Sequence, residues 1–466
     1  MNISTHKVST HKWIFTGILM FAMFLANAQQ KSPQQFLSEI IQIPSISGNE
    51  KKVAEHIIQF CRQEGLYIEI FSGTDSSYNF SASLFPLSSN KPNIVLLSHL
   101  DVVPASDSNS WQHPPFSGEV LNGEIWGRGA IDAKGLLVMQ LYGLLAYKKT
   151  MDSTNPYNIT VLGVSGEETG GKNGSIPIVE HHWDQLHPIV VFGEGGSGVN
   201  YLLKTKKVFN VFGVSIAEKS NLLIQLTSEN YSVGHSAVPP SLYANKRLLR
   251  ALIRIMDDYE LPKFDKLTLS MFRTIGDTEK GTRKFVMKHI NWKIFYPFVK
   301  EHFREGELLH TLVYNTYVIT HISNSSSANN QIAAKATAIL DCRLLPEMDH
   351  RKFINKIKRL AGAKIKVQVL DESPDAKPSS KDQFYTAMEI ALKSNFPNST
   401  VVPVLIPATT DNNFYRLKGI NVFGIIPVLF DEEELNSIHN RDERIKIESI
   451  RKGIDVFKDM FQLLQK

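Results

Sequence analysis

Four short stretches of this 466-residue chain carry side chains that could do chemistry. In Ser98-His99-Leu100-Asp101-Val102-Val103-Pro104, His99 and Asp101 stand two residues apart at the end of the apolar run Ile94–Leu97. Extended backbone turns both toward one side. An imidazole there can bind a metal through one ring nitrogen while a carboxylate orients the ring; the alternative is a strand-end pair that hydrogen-bonds a loop. The glycine-rich Trp126–Gly135 segment places Asp132 just before a helix, as an N-cap, a metal carboxylate or both. Ser165-Gly166-Glu167-Glu168-Thr169-Gly170-Gly171 follows the apolar run Ile159–Val164, and Gly193-Glu194-Gly195-Gly196 follows Pro188–Phe192. Adjacent buried carboxylates repel unless a cation or a proton lies between them; a solvated acidic loop is the other reading. The chemistry these residue types allow is binding of hard or borderline cations by imidazole and carboxylate.

The elements that must position them follow from periodicity. Asn93–His99, Ile159–Val164 and Pro188–Phe192 are short apolar runs, as buried strands are, and each ends in a His or an acid. Helical spacing lies between them: Val53, Ile57, Ile58 and Cys61 within Asn49–Gly65, and Leu137, Leu141, Leu144 and Leu145 after Gly135. Pro33 suits the first turn of a helix opened by Ser32. The pattern predicts an α/β sheet with a site at the carboxyl edge of its strands. Near residue 208 the texture changes. Leu222–Ser228, Ala333–Leu345 and Lys364–Leu370 read as strands and Asn245–Met256 as a helix, with Gly234-His235-Ser236-Ala237-Val238-Pro239-Pro240 between them. Lys263–Thr311 reads as an irregular, basic insert whose aromatics (Phe272, Phe285, Trp292, Phe295, Tyr296, Phe298 and Phe303) form an accessory core rather than a substrate wall. A helix over Lys381–Ser394, strands over Thr400–Ile406 and Ile420–Ile426, His439, and a helix over Ile445–Leu464 complete the chain.

Composition narrows the partners. The chain is 42% hydrophobic and 21% charged with a net charge of +5, ordinary for a globular protein of more than one domain. Basic residues form no tract, which argues against nucleic acid. Residues 1–28 read as a cleaved signal peptide: Lys7 and Lys12, the apolar Trp13–Leu25, then Ala26-Asn27-Ala28. That implies a secreted or periplasmic protein with no membrane attachment once it is cleaved. Cys61 and Cys342, the two cysteines, are expected as buried free thiols in different domains. They cannot build a Cys-rich zinc site, so a metal here relies on His and carboxylates.

In order and context, His99-x-Asp101, Asp132, Glu167-Glu168, Glu194 and His439 resemble the metallopeptidase family of carboxypeptidase S, glutamate carboxypeptidase, aminoacylase-1, acetylornithine deacetylase, succinyl-diaminopimelate desuccinylase and the carnosine-type dipeptidases. The resemblance runs over most of residues 32–460 and is closest to the carboxypeptidase S branch. It implies a catalytic domain, a mixed sheet flanked by helices, in two segments (29–207 and 374–466). A smaller α+β lid or dimerisation domain (208–373) lies between them and carries a helical insert. It implies two zinc ions, with cobalt or manganese as substitutes: His99 and Glu194 on one, Glu168 and His439 on the other, Asp132 bridging. Asp101 would orient His99 and Glu167 would be the general base. His235 would reach the scissile carbonyl from a partner subunit of a homodimer or after lid closure. Arg343 and Asn330 match a substrate-carboxylate clamp loosely, and pairing of Arg343 with Asp341 or Glu347 is the competing reading. Where relatives carry an arginine after Thr-Asp-Ser/Thr, this chain has Thr410-Asp411-Asn412-Asn413, with Arg416 as the nearest substitute. The implied activity is hydrolysis of an amide or peptide bond in small peptides or N-acyl amino acids. A non-catalytic metal- or peptide-binding relative would have no need of Glu167.

Overall fold

The apolar runs ending in His or acid become the centre of a ten-stranded mixed sheet. The computed structural model describes residues 31–71, 78–200, 210–230, 234–258, 260–297 and 307–465. The leader expected over 1–28 lies outside these residues, as do Phe298 and Phe303. The first half of the chain supplies β1 (Tyr67–Ile70), β2 (Phe80–Ser83), β3 (Asn93–His99), β4 (Glu119–Leu121), β5 (Glu124–Trp126), β6 (Asn158–Val164), β7 (Pro188–Gly193), β8 (Gly198–Val199) and β9 (Val211–Glu218). The smaller sheet holds β10 (Ser220–Glu229), β11 (Thr316–Asn324), β12 (Lys335–Leu344) and β13 (Lys366–Glu372). The return adds β14 (Thr400–Ile406), β15 (Asn421–Gly424), β16 (Leu429–Phe430) and β17 (Arg444–Lys446). The large sheet runs β1-β2-β6-β3-β7-β15-β9-β8-β16, with β14 on β9. Its heart, β6, β3, β7 and β15, is parallel. Every residue of β3 and β6 is buried, as strands covered on both faces must be.

Helices α1 (Pro33–Ile41), α2 (Lys51–Gln63), α3 (Lys134–Lys148) and α4 (Ser175–His181) belong to the first half. Ser32 caps α1 in a capping box with Gln35, and Pro33 stands in the first turn. Nearly all of α3 is buried, because it lies between the sheet and the terminal helix. Gly143 makes that closeness possible: a Cβ there would stand 2.6 Å from Phe457 Cβ.

The smaller unit carries α5 (Ala244–Met256), α6 (Lys266–Thr278), α7 (Gly281–Lys288), α8 (Glu307–Val313) and α9 (His350–Ala361) within its sequence. Its antiparallel sheet, in the order β11-β12-β10-β13, packs on α5 and α9 to form a separate core. The structure corrects the sequence reading twice here. The smaller sheet begins at Ser220, not near residue 208, because β9 pairs with β14 and β15 in the large sheet. Over its described residues the Lys263–Thr311 insert is mostly helical, the form the resemblance implies, and not irregular as its local sequence reads. Asp265 caps α6 through Thr268 N at 2.6 Å, and Leu267, Met271, Phe272 and Ile275 join the large-sheet core instead of the smaller unit. Phe272 is therefore core, as expected, whereas Phe285 and Trp292 stay about half exposed. Cys61 lies in the large core and Cys342 in the small one, both buried and both free.

Helices α10 (Gln383–Asn395), α11 (Asn412–Arg416) and α12 (Ile447–Leu464) close the fold, α12 lying along α3 and α10.

Candidate active site

The carboxyl ends of β3, β6 and β7 deliver His99, the Glu167-Glu168 turn and Glu194 to one place. His99 Nδ1 donates to the backbone oxygen of Asp101 at 2.8 Å, which leaves Nε2 facing the site. The Asp101 carboxylate stands 3.5 Å from the ring, and its stronger bonds go elsewhere. Its oxygens accept from Glu167 N (3.1 Å), Glu168 N (3.2 Å) and Ser47 Oγ (2.7 Å). Asp101 thus orients His99 chiefly through its backbone and spends its charge on pinning the two-glutamate turn.

Asp132 is not the N-cap. Ala133 holds that position and α3 has no side-chain cap. Asp132 Oδ1 instead lies 2.9 Å from His99 Nε2, and Oδ2 lies 2.9 Å from His439 Nε2. Among the described residues, three groups have ligand atoms close enough to share a cation: His99, Asp132 and Glu194; Asp132, Glu168 and His439; and His99, Glu167 and Glu168. The first two share Asp132 and together use the five residues proposed from the sequence as ligands.

The electrostatics are those of a site short of positive charge. Burial and the neighbouring Asp132 charge push Glu194 up to about 7. Burial and the Glu194 charge hold Glu167 well above the usual carboxylate range. The adjacent carboxylates of Asp132 and Glu168 push His439 up to about 10. For His99, burial pulls downward and is outweighed by the Glu194 charge and the bonds to Asp101 and Asp132. Protonated imidazoles thus sit where cations would relieve the same repulsion. The donor set fits divalent metal on a further observation: Glu168 Oε1 is buried, makes no hydrogen bond and lies 3.3 Å from His439 Nε2.

A cleft of about 1070 Å³ opens over these residues between the two units. Ile406, Ile426, Phe430, Leu435 and Ile438 form an apolar wall; Asn221, Arg343 and Asp371 line the side of the smaller unit. Arg343 makes the pairing with Asp341 that its structural reading expects, through Nε (2.9 Å) and Nη2 (3.1 Å), and its position also borders the cleft. His235 and Asn330 are not brought to the cleft. They lie exposed on the smaller unit, bonded to each other at 3.3 Å. Asn413 and Arg416 do not face it either. Asn413 donates to Pro374 O, and Arg416 is buried against Glu218 (3.3 Å) and Ser379 where the chain crosses between the units, so Arg416 is no substitute carboxylate clamp. His113 bonds Glu119 and packs at a tilt against Trp126, outside the cleft lining.

One residue the sequence reading passed over is Asp411. Buried and pushed up to about 7 by that burial, it accepts from Ser175 Oγ at 2.8 Å beside Glu167. Gly171, at φ +70°, leaves room for it: a Cβ there would stand 2.6 Å from Asp411 Oδ1. Only its place in the polar Thr410–Asn413 loop marked it in the sequence.

Carboxylates and imidazoles gathered at a strand edge, with a glutamate to spare, define the class of metal-dependent hydrolases. The sequence profile of peptidase family M20/M25/M40 matches residues 95–463, and the chain belongs to that family. It is thus a hydrolytic metallopeptidase. It is 26% identical over 384 residues to a protein of Dictyostelium discoideum described as probable carboxypeptidase S-like 2, covering 80% of this chain and 72% of that one. It is 25% identical over 456 residues to the N-fatty-acyl-amino acid synthase/hydrolase PM20D1 of Xenopus tropicalis, covering 94% and 87%. The fold matches that of the M20 family metallo-carboxypeptidase Sso-CP2 from Sulfolobus solfataricus with a TM-score of 0.67 at 18% identity, over 93% of this chain and 99% of the other.

Proposed function

We propose that the protein is an exported two-metal exopeptidase or N-acyl amino-acid hydrolase acting on small substrates with an apolar acyl or side-chain group. The observation that carries this is the pair of His/carboxylate groups sharing Asp132, with Glu167 beside them at the floor of an apolar-walled cleft. His99 and Glu194 would hold one cation and Glu168 and His439 the other, with Asp132 contributing to both groups. Zinc suits these ligands, and cobalt or manganese can replace it. Bound there, the two ions would supply an acidified water and draw electron density from the scissile carbonyl. Glu167 takes a proton from the attacking water and delivers it to the leaving nitrogen, so a C–O bond forms, the C–N bond breaks and the carboxylate ends unchanged. Glu168 rather than Glu167 is the ligand because only Glu168 groups with Asp132 and His439. Arg343, on the far wall, is placed to meet a substrate carboxylate.

The decisive experiment incubates the zinc-loaded chain from Gln29 onward with unblocked dipeptides, N-blocked dipeptides and N-acyl amino acids, products being identified by mass spectrometry. The expected result is cleavage of blocked and acylated substrates, best with apolar acyl groups. Cleavage of free dipeptides alone would make it a dipeptidase. No cleavage with both metals bound would leave a binding protein.

Export rests on the Lys7, Lys12, Trp13–Leu25 and Ala26-Asn27-Ala28 pattern. The intact mass of the exported chain tests it, with Gln29 expected as first residue. A homodimer is supported by the distance of His235 from the cleft and by the exposed Leu249, Ile253, Val318 and Ile322 on α5 and edge strand β11. In it the partner subunit's His235 would add a donor to the developing oxyanion, and sedimentation at monomer mass would remove this reading.

A further inference from the structure

Glu443 is fully buried and four residues beyond His439, yet its side chain points away from the cleft and into the loop that carries Asp132. Each carboxylate oxygen accepts twice. Oε2 takes Arg128 Nη1 (2.8 Å) and Gly129 N (3.0 Å); Oε1 takes Ile131 N (2.9 Å) and Asp132 N (3.1 Å). The Glu443 backbone oxygen accepts from Gly127 N at 2.8 Å. One residue therefore satisfies five donors spread along 127–132, from more than 300 positions away in the chain. Nothing comparable is needed merely to neutralise Arg128, which also stacks over the Trp111 ring. The same short segment holds His439, whose Nε2 meets Asp132 Oδ2 at 2.9 Å.

We propose that Glu443 is the positioning residue that sets the spacing between Asp132 and His439, and so builds the shared edge of the two metal-binding groups. The proposal rests on the two-metal reading above. Asp132 must present one oxygen toward His99 and the other toward His439, so a small rotation of its peptide would spoil both groups together. The loop is rich in glycine and cannot fix that orientation alone. A carboxylate gripping the amides of residues 129, 131 and 132 fixes it, and carries the register to His439 through four residues of chain. Partners in this outer position commonly change metal affinity by about 10–100-fold when removed.

The test compares wild type, Glu443→Gln and Glu443→Asp. Glutamine offers N–H groups to donors that already point at it, and aspartate keeps the charge but is one methylene too short to span the loop. Metal-free protein is titrated with Co²⁺, reading uptake and the visible spectrum, and melting temperature is recorded with and without Zn²⁺. The expected result is cobalt binding weakened about 10–100-fold in both variants, an altered cobalt spectrum, and a smaller zinc-induced rise in melting temperature than in wild type. A fall in the melting temperature of the metal-free form alone, with cobalt affinity, spectrum and zinc increment unchanged, would make Glu443 a structural residue and overturn the inference. Should Glu443→Gln fail to fold, Glu443→Asp carries the same comparison. A wild type that takes up no divalent cation would instead overturn the two-metal reading, and with it this inference.

Discussion

Glu167→Ala is expected to lower kcat by about two to four orders of magnitude, the usual worth of a positioned general base, while metal content stays at the wild-type level. The reason is that two roles compete for the two adjacent glutamates. Glu168 groups with Asp132 and His439; Glu167 shares a group only with His99 and Glu168. Glu167 also lines the cleft against Glu194 and Asp411, where burial and the Glu194 charge favour its protonated form. Removing Glu167 takes away the proton shuttle and leaves the shared-aspartate groups whole. Metal analysis beside steady-state kinetics checks the split. If the alanine variant loses a full equivalent of metal, Glu167 is a ligand and the roles of the pair must be exchanged.

Asp132→Ala is expected to abolish activity and to weaken uptake of both metals, by more than the roughly 10–100-fold typical of residues that only support a ligand. Asp132 alone belongs to both of the groups that use His439 or Glu194, and it bonds both imidazoles at 2.9 Å. The alternative, that it is a helix cap, predicts a small loss of stability and full metal loading; the absence of any side-chain cap on α3 argues against this. The same titration has a definite pH dependence. In the metal-free protein His439, at about 10, holds its proton at neutral pH, and Glu194, at about 7, is protonated in about half of the molecules there. A cation must displace those protons, so wild-type affinity should rise from pH 6 to pH 8. Calorimetry in two buffers of different ionisation enthalpy would count the protons released. Flat affinity across that range would mean that Glu194 and His439 are not ligands.

Much of this was legible in the sequence because buried parallel strands write themselves plainly. Ile94–Leu97, Ile159–Val164 and Pro188–Phe192 are continuous apolar runs, and the chemistry sits at their ends, where the chain must leave the sheet. Residue type did the rest: with two cysteines in the chain, carboxylates and imidazoles were left to form any metal group. Read locally, the insert looks irregular for a comparable reason, although the resemblance implies a helical one. Leu267, Met271, Phe272 and Ile275 do recur at helical spacing, but short helices rich in lysine and bulky aromatics show that period weakly. The smaller unit was entered about ten residues early because β9, an apolar strand like its neighbours, gives no local sign of which sheet will take it.

By itself, then, the sequence determined the strand ends, the types of residue gathered there and, by resemblance, a metal-dependent amide hydrolase. Only the tertiary structure decided how those residues share the work. That Asp132 faces two imidazoles and caps nothing, that Asp101 grips the Glu167-Glu168 turn, that Arg416 is locked to Glu218, and that Glu443 holds the Asp132 loop are all contacts between residues tens to hundreds of positions apart. Local periodicity reports which face of an element is buried. It does not report which distant carboxylate will meet which amide, because the packing of whole elements sets those distances.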